Sequence, residues 1–196
     1  MLINDIIELA GKRGVVKASD LREIGASRTL LPYMGRKGIL RRIARGSYTL
    51  RDYIPEHLPF LEAASAVPRG VICLLSALQF HEITTQMPDK VWMAIRRGQR
   101  VPAPGKIPLH TVRFSGQAFH EGIEEHKEGV VIIRVYSPAK TVADCFKFRN
   151  RIGLDVAREA LIDSFNQKKA THDEIWRYSK ICRVSKIIQP YLEMTV

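Results

Sequence analysis

Cysteine is scarce in this sequence of 196 residues: three thiols, Cys73, Cys145 and Cys182, lie far apart in apolar surroundings. An odd, dispersed set forms neither a disulfide framework nor a CxxC metal pair, so a reducing cytoplasm is the expected compartment. Long apolar runs are also missing. None approaches ~18 residues, so no membrane span is expected. The opening MLINDIIELAGKRG carries acids where a secretory signal has a basic region, and no cleavage-site pattern follows, so no signal is expected. Phosphate-cradling GxxxxGK[ST] and GxGxxG loops are absent, as are GxSxG and HExxH. No cofactor is expected.

Acids are the other shortage. Lys and Arg total 31 against 20 Asp and Glu, giving net +11 and a pI near 9.8. That balance favours a polyanionic partner, nucleic acid before membrane surface. Residues 1–56 hold 11 basic and 6 acidic side chains, a net of +5 in under a third of the chain. From Ile24 to Leu50 there are Arg28, Arg36, Lys37, Arg41, Arg42 and Arg45 and no acid, and Arg51 extends the run before Asp52 ends it. With no carboxylate to neutralise it locally, such a stretch keeps its field.

Helical spacing of Leu2, Ile3, Ile6, Ile7, Leu9 and Ala10 predicts a first helix over 2–10, followed by an extended link at Val15 and Val16. Ser19 is the expected cap of a short second helix, closed by Gly25. A third helix ends near Gly38. With Thr29 as its cap, Pro32 falls in the first turn, where a missing N–H costs little. Leu31 and Met34 then face inward, and Tyr33, Arg36 and Lys37 outward. Two β-prone runs, Ile39–Ala44 and Ser47–Leu50, flank Arg45-Gly46, a hairpin signal. Three helices and a basic hairpin are the order of a winged helix-turn-helix. Its third helix enters a major groove about 12 Å wide while the hairpin follows phosphates. The expected DNA-contacting residues are Arg28, Thr29, Tyr33, Arg36 and Lys37 on the helix, and Arg41, Arg42, Arg45, Ser47 and Tyr48 in the wing.

Residues 52–59 read as a linker between a domain at 1–53 and a larger one at 58–196. In the latter, helix is expected over 60–66 and Val71–Ile83, strands over 91–96, 109–114 and 130–136, and a polar loop around His120–His126. A helix capped by Ser137-Pro138 runs to about Arg149, and helices follow near 154–166, 172–182 and 184–193. Strands followed by a helical cluster indicate an α+β fold. Asp144, among Val142, Cys145, Phe146 and Phe148, reads as a buried, hydrogen-bonded acid that orders the fold, with a functional group as the alternative. Arg149, Arg151 and Arg158, or Lys168 and Lys169, read as solvated charge, with a second basic face as the alternative.

Catalytic patterns are thin, and no enzyme is expected. Ser76 and His81 share a helix, but a five-residue offset does not put them on one face. One alternative stands: Pro88-Asp89 and Glu125-His126-Lys127 loosely mimic the PD…ExK arrangement of metal-dependent nucleases, in which two carboxylates hold Mg²⁺ and a Lys helps orient water.

Three segments, RIARGSYTL, GVICLLSALQFHEIT and YSPAKTVADCFKFRNRIGLDVAREAL, together resemble the AbiEi antitoxin family of bacterial type IV toxin–antitoxin and abortive-infection (phage defence) systems, over about residues 2–165. The resemblance implies a winged-helix repressor that binds inverted repeats in its own operator DNA. It also implies a C-terminal domain that neutralises a nucleotidyltransferase-like toxin without a stable complex. Arg41, Arg42, Arg45 and Tyr48 look like the family's wing. A monomer in solution that binds DNA cooperatively is expected.

Overall fold

The computed structural model describes residues 2–44, 46–53, 57–100, 108–128 and 131–194. The chain is mixed α+β. It divides into two compact units, Met1–Pro68 with Glu125–Ile133, and Arg69–Glu124 with Arg134–Val196. The first unit therefore extends past the expected boundary near residue 53.

In the first unit, α1 (Leu2–Arg13) runs through Gly11 and stops at Gly14, whose φ of +69° breaks the helix. Strand β1 (Val16–Lys17) follows, then a 3₁₀ turn at Asp20–Ile24 closed by left-handed Gly25. Ser19 does not cap that turn; its hydroxyl donates to Asp20 instead. α2 (Leu30–Arg36) begins after Thr29, so Pro32 lies in its first turn, as the missing N–H requires. The ribbon β2 (Leu40–Ala44) and β3 (Ser47–Leu50) comes next, then α3 (Leu58–Ala66). The sheet order is β1-β3-β2, with Val16 opposite Tyr48 and Arg42 opposite Tyr48. Ile6, Ala10, Val16, Leu21, Leu31, Met34, Leu40 and Tyr48 form one core. These elements are compatible with the expected winged arrangement, with a 3₁₀ turn in place of the second helix.

Five further strands are β4 (Val71–Ile72), β5 (Val91–Arg96), β6 (Leu109–Phe114), β7 (Ile123–Glu128) and β8 (Val131–Tyr136). They form one sheet, order β6-β5-β4-β8-β7, which belongs to the second unit except for the segment Glu125–Ile133, grouped with the first. The expected helix over Val71–Ile83 is instead β4 followed by α4 (Leu74–Phe80). Val71 and Ile72 pair with Ala94 and Met93, and backbone pairing outweighs the helical reading of an apolar run. The expected polar loop contains α5 (Gln117–His120) and strand β7.

Helices α6 (Pro138–Lys147), α7 (Arg149–Ile152), α8 (Leu154–Asn166), α9 (His172–Cys182) and α10 (Ser185–Glu193) complete the chain. Ser137 caps α6, accepting a bond from the Lys140 N–H with Pro138 in the first turn. A reciprocal box between Thr171 and Glu174 caps α9. Every residue of α6 from Ala139 to Phe146 is buried, with α4, α8 and α9 packed around it.

That burial encloses charge. Lys140 and Asp144, one helical turn apart, are both fully buried, and Lys140 Nζ donates to Asp144 Oδ2 at 2.5 Å. The ammonium also lies 4.1 Å from the Tyr136 ring centre and 5.0 Å from that of Phe114. Cys182 Sγ donates to the other carboxylate oxygen at 3.2 Å. Burial raises the Asp144 pKa above its ordinary value, with Lys140 opposing.

All three cysteines are buried. Burial, followed by the nearby Asp144 charge, pushes the Cys182 thiol up from 9.0 to about 12, and burial raises Cys73 and Cys145 in the same direction. The unfolded chain releases these protons near pH 9, whereas the folded chain holds them. The stability they contribute is therefore complete below pH 9 and is lost as pH rises from 9 towards 12. Urea midpoints should fall across that window, and Cys182→Ala should shallow the fall. An unchanged pH dependence in the variant would remove Cys182 from this account. Native thiols should resist iodoacetamide near neutral pH and react once unfolded.

Candidate nucleic-acid interface

Helix α2 is amphipathic in a simple sense. Leu31 and Met34 are buried, while Pro32, Tyr33, Arg36 and Lys37 are exposed. Gly35 faces the ring of Tyr48; a Cβ there would lie 3.4 Å from it, so the small residue lets the helix lie close on the sheet. Before the helix, Arg28 and Thr29 are exposed, and the Thr29 hydroxyl is 2.8 Å from that of Ser27. Thr29 occupies the cap position without a side-chain capping bond.

Two cations ahead of the acid-free run are paired with carboxylates. Lys12 pairs with Glu8, and Arg13 donates to Glu23 at 2.7 Å. Within the run, among the described residues, Arg28, Arg36 and Lys37 form no ion pair; the Lys37 ammonium lies 5.9 Å from the Tyr33 ring centre. Arg42 on β2 is exposed. Arg51, which sequence reasoning left out of the site, is exposed too, and its guanidinium lies over Gly38 at the end of α2. Its place directly after the acid-free stretch was the available signal.

Three expected wing residues are not on the surface in the expected way. Ser47 is 3% and Tyr48 6% exposed. β3 is the central strand of its sheet, and Tyr48 packs from it into the core with Ile6, Leu31 and Met34. Tyr48 is a core residue, and neither side chain can reach a duplex without strand displacement. Arg41 is half-buried and turned to the Tyr53 carbonyl at 3.5 Å. It also lies near Glu62 of α3, whose pKa burial raises and the Arg41 charge opposes. Its Nε is buried and lacks a hydrogen-bond partner among the described residues. Arg45 lies outside the described residues.

The elements considered for catalysis are separated or structural. Ser76 Oγ accepts the Trp92 N–H at 2.9 Å. His81 Nε2 is 2.7 Å from the Tyr136 carbonyl, which can only accept, so Nε2 carries the proton. Asp89 precedes β5 and Glu125 and Lys127 lie on β7, with β4 and β8 between those strands in sheet order. Among the described residues no group of three or more His, Cys, Asp or Glu is placed to hold a metal ion. Of the C-terminal cations, Arg158 lies 3.7 Å from Asp155, and Lys169 donates to the His81 carbonyl.

The class this architecture defines is a two-unit α+β protein whose first unit exposes cations from an acid-free stretch of its sequence. No helix among the described residues is long and apolar enough to cross a membrane. The fold is similar to the crystal structure of the RV2827C protein from Mycobacterium tuberculosis, with a TM-score of 0.57 at 11% identity, covering 96% of this chain and 79% of that one. No protein-family model matches the sequence. No curated protein matches it either.

Proposed function

We propose that this chain is a DNA-binding transcriptional repressor that acts on inverted repeats at its own promoter. We further propose that it serves in the cytoplasm as the antitoxin of a type IV pair against a nucleotidyltransferase-like toxin. The observation that carries the DNA reading is the exposure of Arg28, Arg36, Lys37, Arg42 and Arg51 on and beside α2 and β2, in a stretch without a carboxylate. Arginine forks suit phosphate oxygens and guanine edges alike. Tyr33, on the outer face of α2, is the residue placed to contribute to sequence choice, whereas phosphate contacts set affinity. The antitoxin role rests on the resemblance of the three sequence segments to AbiEi proteins.

Five neutralised phosphates give a log–log salt slope of roughly −4.5. Arg36→Ala with Arg42→Ala should reduce that slope by about two and weaken operator and unrelated duplex alike. Arg41→Ala, by contrast, should leave the slope nearly unchanged. Filter binding over a salt series measures both, and an unaltered slope in the double variant would refute the assignment. Co-expression with a neighbouring toxin gene tests the second role: growth should be restored, and continued toxicity counts against it.

A further inference from the structure

The second unit carries a cleft of about 610 Å³ that the DNA reading does not use. Arg69, Arg96, Arg97 and Arg134 line it, with His120 at its edge and no carboxylate among the lining residues. Strand register explains the convergence. Val71 pairs with Ala94, and Arg96, two residues on, shares that sheet face. Ile72 pairs in parallel with Val135, which puts Arg134 beside Val71 on the same face. Gly98, at φ +87°, turns the chain after β5, and the turn is held by the Gln99 N–H on the Arg96 carbonyl at 2.9 Å. Arg97 lies in this turn and lines the cleft. Among the described residues Arg69, Arg96 and Arg97 form no ion pair. The floor is apolar: Val71, Phe119 and Ile123.

We propose that this cleft binds a nucleoside di- or triphosphate, with the phosphates on the four guanidiniums and the base against Phe119 and Ile123. Like charges drawn into a concave site repel each other and focus a field that a compact polyanion relieves. Bidentate guanidinium–phosphate bonds supply orientation as well as attraction. The volume lies within the range of roughly 300–1,000 Å³ typical of small-molecule sites, and the apolar floor distinguishes a nucleotide from a bare oligophosphate. The site belongs to the second unit alone and does not depend on the α2 face.

Titration calorimetry of the full chain with ATP, GTP, adenosine, inorganic triphosphate and a short single-stranded DNA tests it. ATP or GTP should bind at least tenfold more tightly than adenosine, and more tightly than triphosphate. Arg96→Ala with Arg134→Ala should weaken the nucleotide at least tenfold with an unchanged circular dichroism spectrum. Arg151→Ala with Lys180→Ala, which removes exposed charge elsewhere, should not. Absence of nucleotide binding, equal loss in both double variants, or binding of the DNA strand alone would each overturn the proposal.

Discussion

Replacing Asp144 by alanine should lower the unfolding free energy by about 3–5 kcal/mol, because it leaves a buried ammonium without its counter-charge. Lys140 is fully buried, and it donates its bond to the Asp144 carboxylate. The two aromatic rings beside it offer only partial compensation. Lys140→Met should cost a similar amount, since the carboxylate then keeps only the Cys182 thiol among its side-chain donors. The double replacement Lys140→Met with Asp144→Leu removes both charges and should recover most of the loss, as apolar substitutes for buried pairs commonly do. Urea unfolding of the four proteins checks this. If the double variant loses the sum of the two single effects, the pair is not coupled and the account fails.

Gly122→Ala should be nearly as damaging, by about 2–5 kcal/mol from backbone strain and overpacking together. Gly122 has φ +75°, and a Cβ there would lie 2.7 Å from Lys140 Cβ and 2.9 Å from Lys140 Cγ. Those atoms belong to the stem of a fully buried side chain on a helix packed by its neighbours, so they cannot swing away. The Gly122 carbonyl also accepts the Ser137 N–H at 2.7 Å, which ties the turn to the start of α6. Gly25→Ala is the matched control. Its φ is +64°, but nothing lies within 4 Å of the added carbon, so only the backbone cost of about 1–2 kcal/mol remains. Thermal melts that rank the two variants equally would show that the clash with Lys140 carries no weight.

Residues whose local chemistry agrees with their final environment were readable in advance. Pro32 in a first turn, Gly46 between two β-prone runs and Ser137-Pro138 before α6 each carry a backbone requirement that does not depend on distant neighbours. The outward placing of Tyr33, Arg36 and Lys37 follows from the same local periodicity. Strand β7 was not readable: Ile123–Glu128 is IEEHKE, largely exposed at the edge of its sheet, and an edge strand with little buried surface shows no apolar alternation. The two-residue strand β4 was hidden for the opposite reason, since it is apolar on both faces and continuous with an apolar helix.

The sequence by itself determined the charge imbalance, the acid-free stretch, the mixed α+β composition and the positions of most helix starts. These depend on residue type and on spacings of a few residues. Tertiary structure alone decided that Tyr48 and Ser47 belong inside; Tyr48 is enclosed by core residues of separate elements, Ile6, Leu31 and Met34 among them. It likewise decided that Lys140 is enclosed rather than solvated, and that arginines from separate strands and turns meet in one cleft. Side-chain exposure depends on what is packed opposite, and long-range pairing supplies that partner.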